Sequence, residues 1–278
     1  MRNSIRYYYE IEVDDLSYRD GSYYFDSYIL IEHKKEIDMS IYKYLKEGRY
    51  PIYEVVWNKE SKHITTIEEK EYILLKKTTD IVVTFSVLEQ FLIPANKKDA
   101  LPWHQLWMDK IDYYEKHMQT VNFPKLKECF FYYAGLTENA ISFYKLVKQD
   151  WPLYISHLRL NRKEDFSNPM NFALDYKARD VAEYAKKLFF EDRLNMDDLF
   201  LFFYRNQFHE FDYVLVYARL LYPSYYFDCY DNIINGGNEE SINIIIDRID
   251  AYEEFLRTFY IRIKQYATIP KIDWLIDK

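Results

Sequence analysis

Residues 151–188 read WPLYISHLRLNRKEDFSNPMNFALDYKARDVAEYAKKL, and the order of patterns in this stretch decides the fold. It opens with a short apolar run from Trp151 to Ile155 that has strand chemistry. A polar loop follows, carrying His157, Arg159 and Asn161. Asp180-Val181-Ala182-Glu183 then fits a capping box, with the Asp180 side chain on early amides and Glu183 reaching back. A helix is therefore expected to start at Asp180. Strand, polar loop and helix in this order gather reactive side chain types at the end of a strand.

Three runs narrow the reading: Tyr132-Tyr133-Ala134-Gly135-Leu136-Thr137-Glu138-Asn139-Ala140-Ile141, then Ser156-His157-Leu158-Arg159, then Asp175-Tyr176-Lys177-Ala178-Arg179-Asp180-Val181-Ala182-Glu183-Tyr184. Together they resemble the YutH group, spore-coat-associated, kinase-like proteins of the aminoglycoside-phosphotransferase superfamily. The similarity is most specific over residues 130–184. It implies an α+β, bilobal, protein-kinase-like fold with a small strand-rich N-lobe and a larger helical C-lobe.

In that superfamily an Asp two residues after the loop His accepts or orients the proton of the attacking hydroxyl. Here the position holds Arg159, whose guanidinium stays charged and cannot act as a base near neutral pH. The resemblance thus implies a degenerate loop, His157, Arg159 and Asn161, with no catalytic residue expected. His157 is expected to brace the loop backbone, and Asp180 with Glu183 to brace the loop from the following helix. Asp175 resembles the magnesium-holding Asp, yet lies only five residues before Asp180. Glu164 and Asp165 lie where a second magnesium ligand would be sought. No metal or cofactor is expected. The alternative is an atypical ATP- and magnesium-dependent phosphotransferase with Asp175, Glu164 and Asp165 in the metal and base roles.

On the N-terminal side, Ile5 to Val13 and Ser22 to Ile31 read as strands around an Arg19-Asp20-Gly21 turn, because Asp-Gly between aromatic and β-branched runs signals a hairpin. An active kinase lobe would show a Gly-rich loop and a strand Lys here. Gly21 stands alone, and no Lys precedes Lys34 in the second strand. Residues 36–47 have helical spacing with Gly48 as a stop, and strands are expected over 52–57 and 64–76, the latter broken at Glu68-Glu69-Lys70.

From Ile81 a helical stripe runs to Pro94, and residues 95–102 form the best linker. The expected organisation is an N-lobe over 1–80, a connecting helix and linker over 81–102, and a helical C-lobe over 103–278 that holds the degenerate loop at 151–184. Helices are expected over 103–118, over 125–148 with a break near Gly135, and over 196–210, 211–221 and 239–266.

Composition bounds the function. The 278 residues carry a net charge of −8 with no basic run, so nucleic acid is an unsuitable partner. No apolar run approaches the ~20 residues of a membrane span, and the N-terminus has no apolar signal core, so a cytoplasmic protein is expected at synthesis. HExxH, CxxC, GxSxG, Walker A and GxGxxG patterns do not occur, and no two of the six His lie at i, i+3 or i, i+4. Cys129 and Cys229 read as buried free thiols, with a disulfide as the alternative in an oxidising layer. Thirty Tyr against five Gly suggest a Tyr-rich surface suited to contact with another protein. The resemblance and the degenerate loop together imply a pseudokinase-like, non-catalytic protein that binds a protein partner, spore coat components among the candidates, during coat assembly.

Overall fold

Ile5 and Tyr9 are four residues apart and both buried, which suits one face of a helix and not alternation along a strand. In the computed structural model, which describes residues 1–19, 21–95, 101–147 and 151–277, they lie on helix α1 (Arg2–Tyr9). This corrects the strand expected over residues 5–13. The run of three tyrosines has strand propensity, but only the helical period carries both Ile5 and Tyr9 into a core with Phe25, Leu30, Ile67, Tyr72 and Leu74.

The chain divides into two compact units, Met1–Thr84 with His157–Ala173, and Phe85–Ser156 with Leu174–Lys278. The first unit thus takes in residues 81–84 and the loop 157–173 that the sequence reading assigned elsewhere.

In the first unit, strands β1 (Ser17–Arg19), β2 (Ser22–Phe25), β3 (Tyr28–Glu32), β4 (Glu54–Val56), β5 (Ile64–Ile67) and β6 (Lys70–Lys76) form one antiparallel sheet in the order β1-β2-β3-β6-β4, with β5 also on β6. Gly21 takes φ +77° in the first hairpin, as the tight turn requires; Asp20 lies outside the described residues. The expected strand over 22–31 is two strands, because Asp26 at φ 43° turns the chain between Phe25 and Tyr28. Helix α2 (Met39–Glu47) starts where the Asp38 carboxylate accepts from the Ser40 and Ile41 amides.

In the second unit, α3 (Phe85–Gln90) is shorter than the stripe from Ile81 suggests. Most of the linker falls on residues 96–100, outside the described residues. Helix α4 (Trp103–Met118) matches its expected bounds, and α5 (Pro124–Tyr144) runs unbroken through Gly135. One helical Gly costs only about 1 kcal/mol against Ala, less than the packing of Leu126, Phe130, Tyr133, Leu136 and Phe143 on the same helix returns.

Strands β7 (Leu153–His157) and β8 (Phe172–Tyr176) pair as a two-stranded ribbon, and α6 (Ala178–Phe190) follows at once. The remainder is α7 (Met196–Arg205), α8 (Glu210–Leu221), α9 (Ser224–Ile234), a 3₁₀ turn with α10 (Asn243–Ile246), α11 (Ile249–Ile263) and α12 (Asp273–Ile276). Sequence reading left α9 unassigned, and the helix expected over 239–266 is broken before Ile249.

Aromatic residues build the interior of this unit. Tyr133 stacks on Tyr226 at 4.1 Å and Tyr114 on Phe227 at 4.9 Å. Two of the ring hydroxyls reach acceptors, Tyr252 donating to Leu220 O at 2.7 Å and Tyr114 to the Asp231 carboxylate at 2.6 Å. Much of the tyrosine content therefore serves the core, and the surface keeps Tyr7, Tyr18, Tyr44, Tyr113, Tyr204 and Tyr266. Cys129 is buried and Cys229 half-buried, both free, and burial pushes the Cys129 thiol up to about 12. Among the described residues no helix is long and apolar enough to cross a membrane.

Candidate functional site

The loop between β7 and β8 is held from inside by two side chains. His157 closes β7, fully buried, with Nε2 3.0 Å from Phe166 O and its ring stacked on the Phe166 ring at 4.6 Å. A carbonyl oxygen only accepts, so this bond puts a proton on Nε2. Asn171 is the second brace. Its Oδ1 accepts from the Arg159 amide at 3.0 Å, while Nδ2 donates to Arg159 O and to Asp165 O. The Leu158 amide donates to Asn171 O at 2.7 Å.

Sequence reasoning missed Asn171. The usable signal was the Asn168-Pro169 pair two residues earlier, which marks a turn. The Asn168 side chain accepts from the Met170 amide at 3.0 Å and starts that turn.

The remaining loop candidates have other surroundings. Arg159 and Asn161 are exposed. The Asp165 carboxylate accepts from the Arg162 amide at 2.8 Å. Glu164 lies 3.8 Å from the Lys77 ammonium, and Lys163 pairs with Asp80 at 2.6 Å. These last four residues line an open polar cavity of about 700 Å³ within the first unit, with Arg19, Ser27, Tyr53 and Thr78 among the others. Burial first, then the Glu164 and Asp80 carboxylates, push the Tyr53 phenol up to about 12. Arg19 lies 4.1 Å and Lys77 5.4 Å from the Tyr24 ring centre, so two cations flank one ring. Each cation facing the cavity from Lys77 and Lys163 is matched by a carboxylate.

Asp175 belongs to the second unit and is fully buried on β8. Its Oδ2 accepts from Arg179 Nη1 at 2.9 Å and from Arg219 Nη2 at 2.6 Å, and its Oδ1 from the Tyr176 amide at 2.7 Å. Arg179 stands in the first turn of α6 and Arg219 on α8, and both guanidiniums lie over the Trp103 ring, at 4.2 and 5.1 Å. Two guanidiniums bring the charge a divalent cation would bring, and both donate to the same Asp175 oxygen. Among the described residues no three His, Cys, Asp or Glu side chains form a group that could hold a metal ion.

Helix α6 starts at Ala178, not Asp180, and its N-cap Lys177 makes no capping bond through its side chain. Lys177 instead pairs with buried Asp212 at 2.9 Å, and Asp212 also accepts from Trp151 Nε1 and the His209 amide. Glu183 is not in a capping box: its carboxylate takes Lys186 Nζ at 2.9 Å and Ser224 Oγ at 3.2 Å. Burial alone would raise its pKa, but Lys186, Arg179 and Arg219 outweigh it and hold the carboxyl at about 2. Asp180 lies in the first turn, 7% exposed, where its charge favours that of Arg179.

Residues 3–259 match the model of the family described as "Spore coat putative kinase YutH", and the chain belongs to that family. It is 27% identical to the endospore coat-associated protein YutH of Bacillus subtilis, over 84% of this chain and 82% of that one. An aminoglycoside phosphotransferase from Alicyclobacillus acidocaldarius superposes with a TM-score of 0.60 at 10% identity, over 92% of this chain and 94% of that one. AMP-bound spectinomycin phosphotransferase superposes at 0.57 with 12% identity, over 90% and 94%. The fold is therefore the α+β, kinase-like fold of the aminoglycoside phosphotransferases.

Proposed function

We propose that this member of the spore coat family is a pseudokinase-like protein that does not transfer phosphate and acts by binding a protein partner during coat assembly. The observation that carries the reading is the arginine pair on Asp175. A carboxylate whose Oδ2 holds two buried guanidiniums is spent on packing α6 and α8 against β8, and freeing it for a metal would strand two buried cations. Arg159 supports the same reading, since a permanent cation stands where the superfamily places a base. Neither nucleotide nor metal is needed. The protein would be made in the cytoplasm and carried to the coat by its partner, a coat component.

A second reading follows from the polar cavity in the first unit. Lys77, Glu164 and the Thr78 hydroxyl line it, and they are the kinds of group that hold a phosphate ester and its counterion. Under it, the chain is an atypical ATP- and magnesium-dependent phosphotransferase in which Glu164 and Asp165 carry the ion.

A thermal-shift titration with ATP and GTP, with and without magnesium, separates the two. Saturation at a hundredfold excess over Kd would add about 2.7 kcal/mol of stability. No shift up to millimolar nucleotide is expected, and a saturable, magnesium-dependent shift would overturn the non-catalytic reading.

A further inference from the structure

Of the buried side-chain donors in the second unit that have no hydrogen-bond partner, three sit on side chains that meet at one guanidinium. They are Arg219 Nε, Trp103 Nε1 and Tyr144 Oη. The Arg219 Cζ lies 5.1 Å from the Trp103 ring centre and 5.8 Å from that of Tyr144, and Tyr144 and Arg219 are 6% and 2% exposed. An orphaned buried donor costs about 1–3 kcal/mol, so three on neighbouring side chains call for an acceptor.

The chemistry of the set selects among acceptors. Indole Nε1–H and guanidinium Nε–H donate only, and a phenol beside them can donate as well. A water molecule accepts two bonds and brings two hydrogens that need acceptors of their own. Every oxygen of the nearby carboxylates already accepts at least one bond, Asp175 from Arg179, Arg219 and the Tyr176 amide, and Glu183 from Lys186 and Ser224. A halide accepts three or more bonds and brings no hydrogens.

We propose that Arg219, Trp103 and Tyr144 form a site for one monovalent anion of halide size, chloride in the cell. The ion completes the coordination of the guanidinium that holds Asp175. It ties α4, α5 and α8 through a single centre, because the three donors come one from each helix.

Bromide serves as the probe. In crystals of the full chain grown in sodium bromide, an anomalous peak within hydrogen-bond distance of Arg219 Nε, Trp103 Nε1 and Tyr144 Oη is expected. In solution at constant ionic strength, replacing gluconate by bromide or chloride is expected to raise Tm saturably in the wild type, and Tyr144→Phe, which keeps the ring, should reduce the rise. A site that holds water or nothing in bromide-grown crystals overturns the proposal, as does a Tm indifferent to the halide. These outcomes do not depend on whether nucleotide binds, so they stand apart from the test of function above.

Discussion

Arg219 Nη2 lies 2.6 Å from Asp175 Oδ2, across 44 residues of sequence, and both side chains are buried. The contact makes Asp175 a structural hub joining β8 to α8. Removing one partner should leave the others charged and without compensation in a dry interior. Asp175→Asn is expected to cost about 3–5 kcal/mol in chemical denaturation. A carboxylate kept for metal would behave differently, losing activity with little change in stability.

Asn171 closes the loop with three bonds to the backbone of Arg159 and Asp165. Truncation leaves those groups to water or to nothing. Asn171→Ala should destabilise by about 1–3 kcal/mol and speed amide exchange over residues 158–165, read by hydrogen–deuterium exchange. Unchanged protection there would show that the brace is dispensable.

Glu183 titrates near 2 in the folded protein against an ordinary 4.5. Its folded pKa is depressed, so the unfolded chain binds the proton first and stability rises with pH across that window. The contribution is complete above pH 4.5 and is lost as pH falls through about 2, with a size of about 3 kcal/mol. Denaturation of Glu183→Gln against wild type at a series of pH values should show a flatter acid limb for the variant. Parallel limbs would contradict the assignment.

Glu68 and Glu69 both have positive φ, 49° and 67°, between Ile67 and Lys70 of paired strands. Two such residues make a type I′ hairpin, for which Asn-Gly is the preferred pair. Glu68→Asn with Glu69→Gly is expected to stabilise by about 1 kcal/mol through relief of left-handed strain. A melting curve decides it, since both residues lie on an exposed turn.

Arg159→Asp restores the residue type expected of a base, on an exposed loop position where folding should tolerate it. With Asp175 still held by its arginines, the variant should hydrolyse and transfer no phosphate from ATP. Activity gained by this change alone would mean that the rest of a working site is intact.

The sequence by itself determined much of the order of elements and the family resemblance. The Asp-Gly hairpin, the break at Glu68-Glu69, the amphipathic run of α4 and the loop ahead of Asp175 depend on neighbours within a few residues, and local patterning carries that information. It misread residues 5–13, where strand propensity gave way to the burial of Ile5 and Tyr9 on one helical face. The expectation that Arg159 stands where a base would stand comes from the family resemblance together with its spacing from His157. Only the tertiary structure decided what Asp175 does. Its two arginines lie on separate helices, and a carboxylate free for metal has the same local sequence as one locked by a guanidinium 44 residues away. The same holds for Asn171, Lys177 with Asp212, and the orphaned donors around Arg219, because each depends on which distant backbone or side chain the fold brings within hydrogen-bond reach.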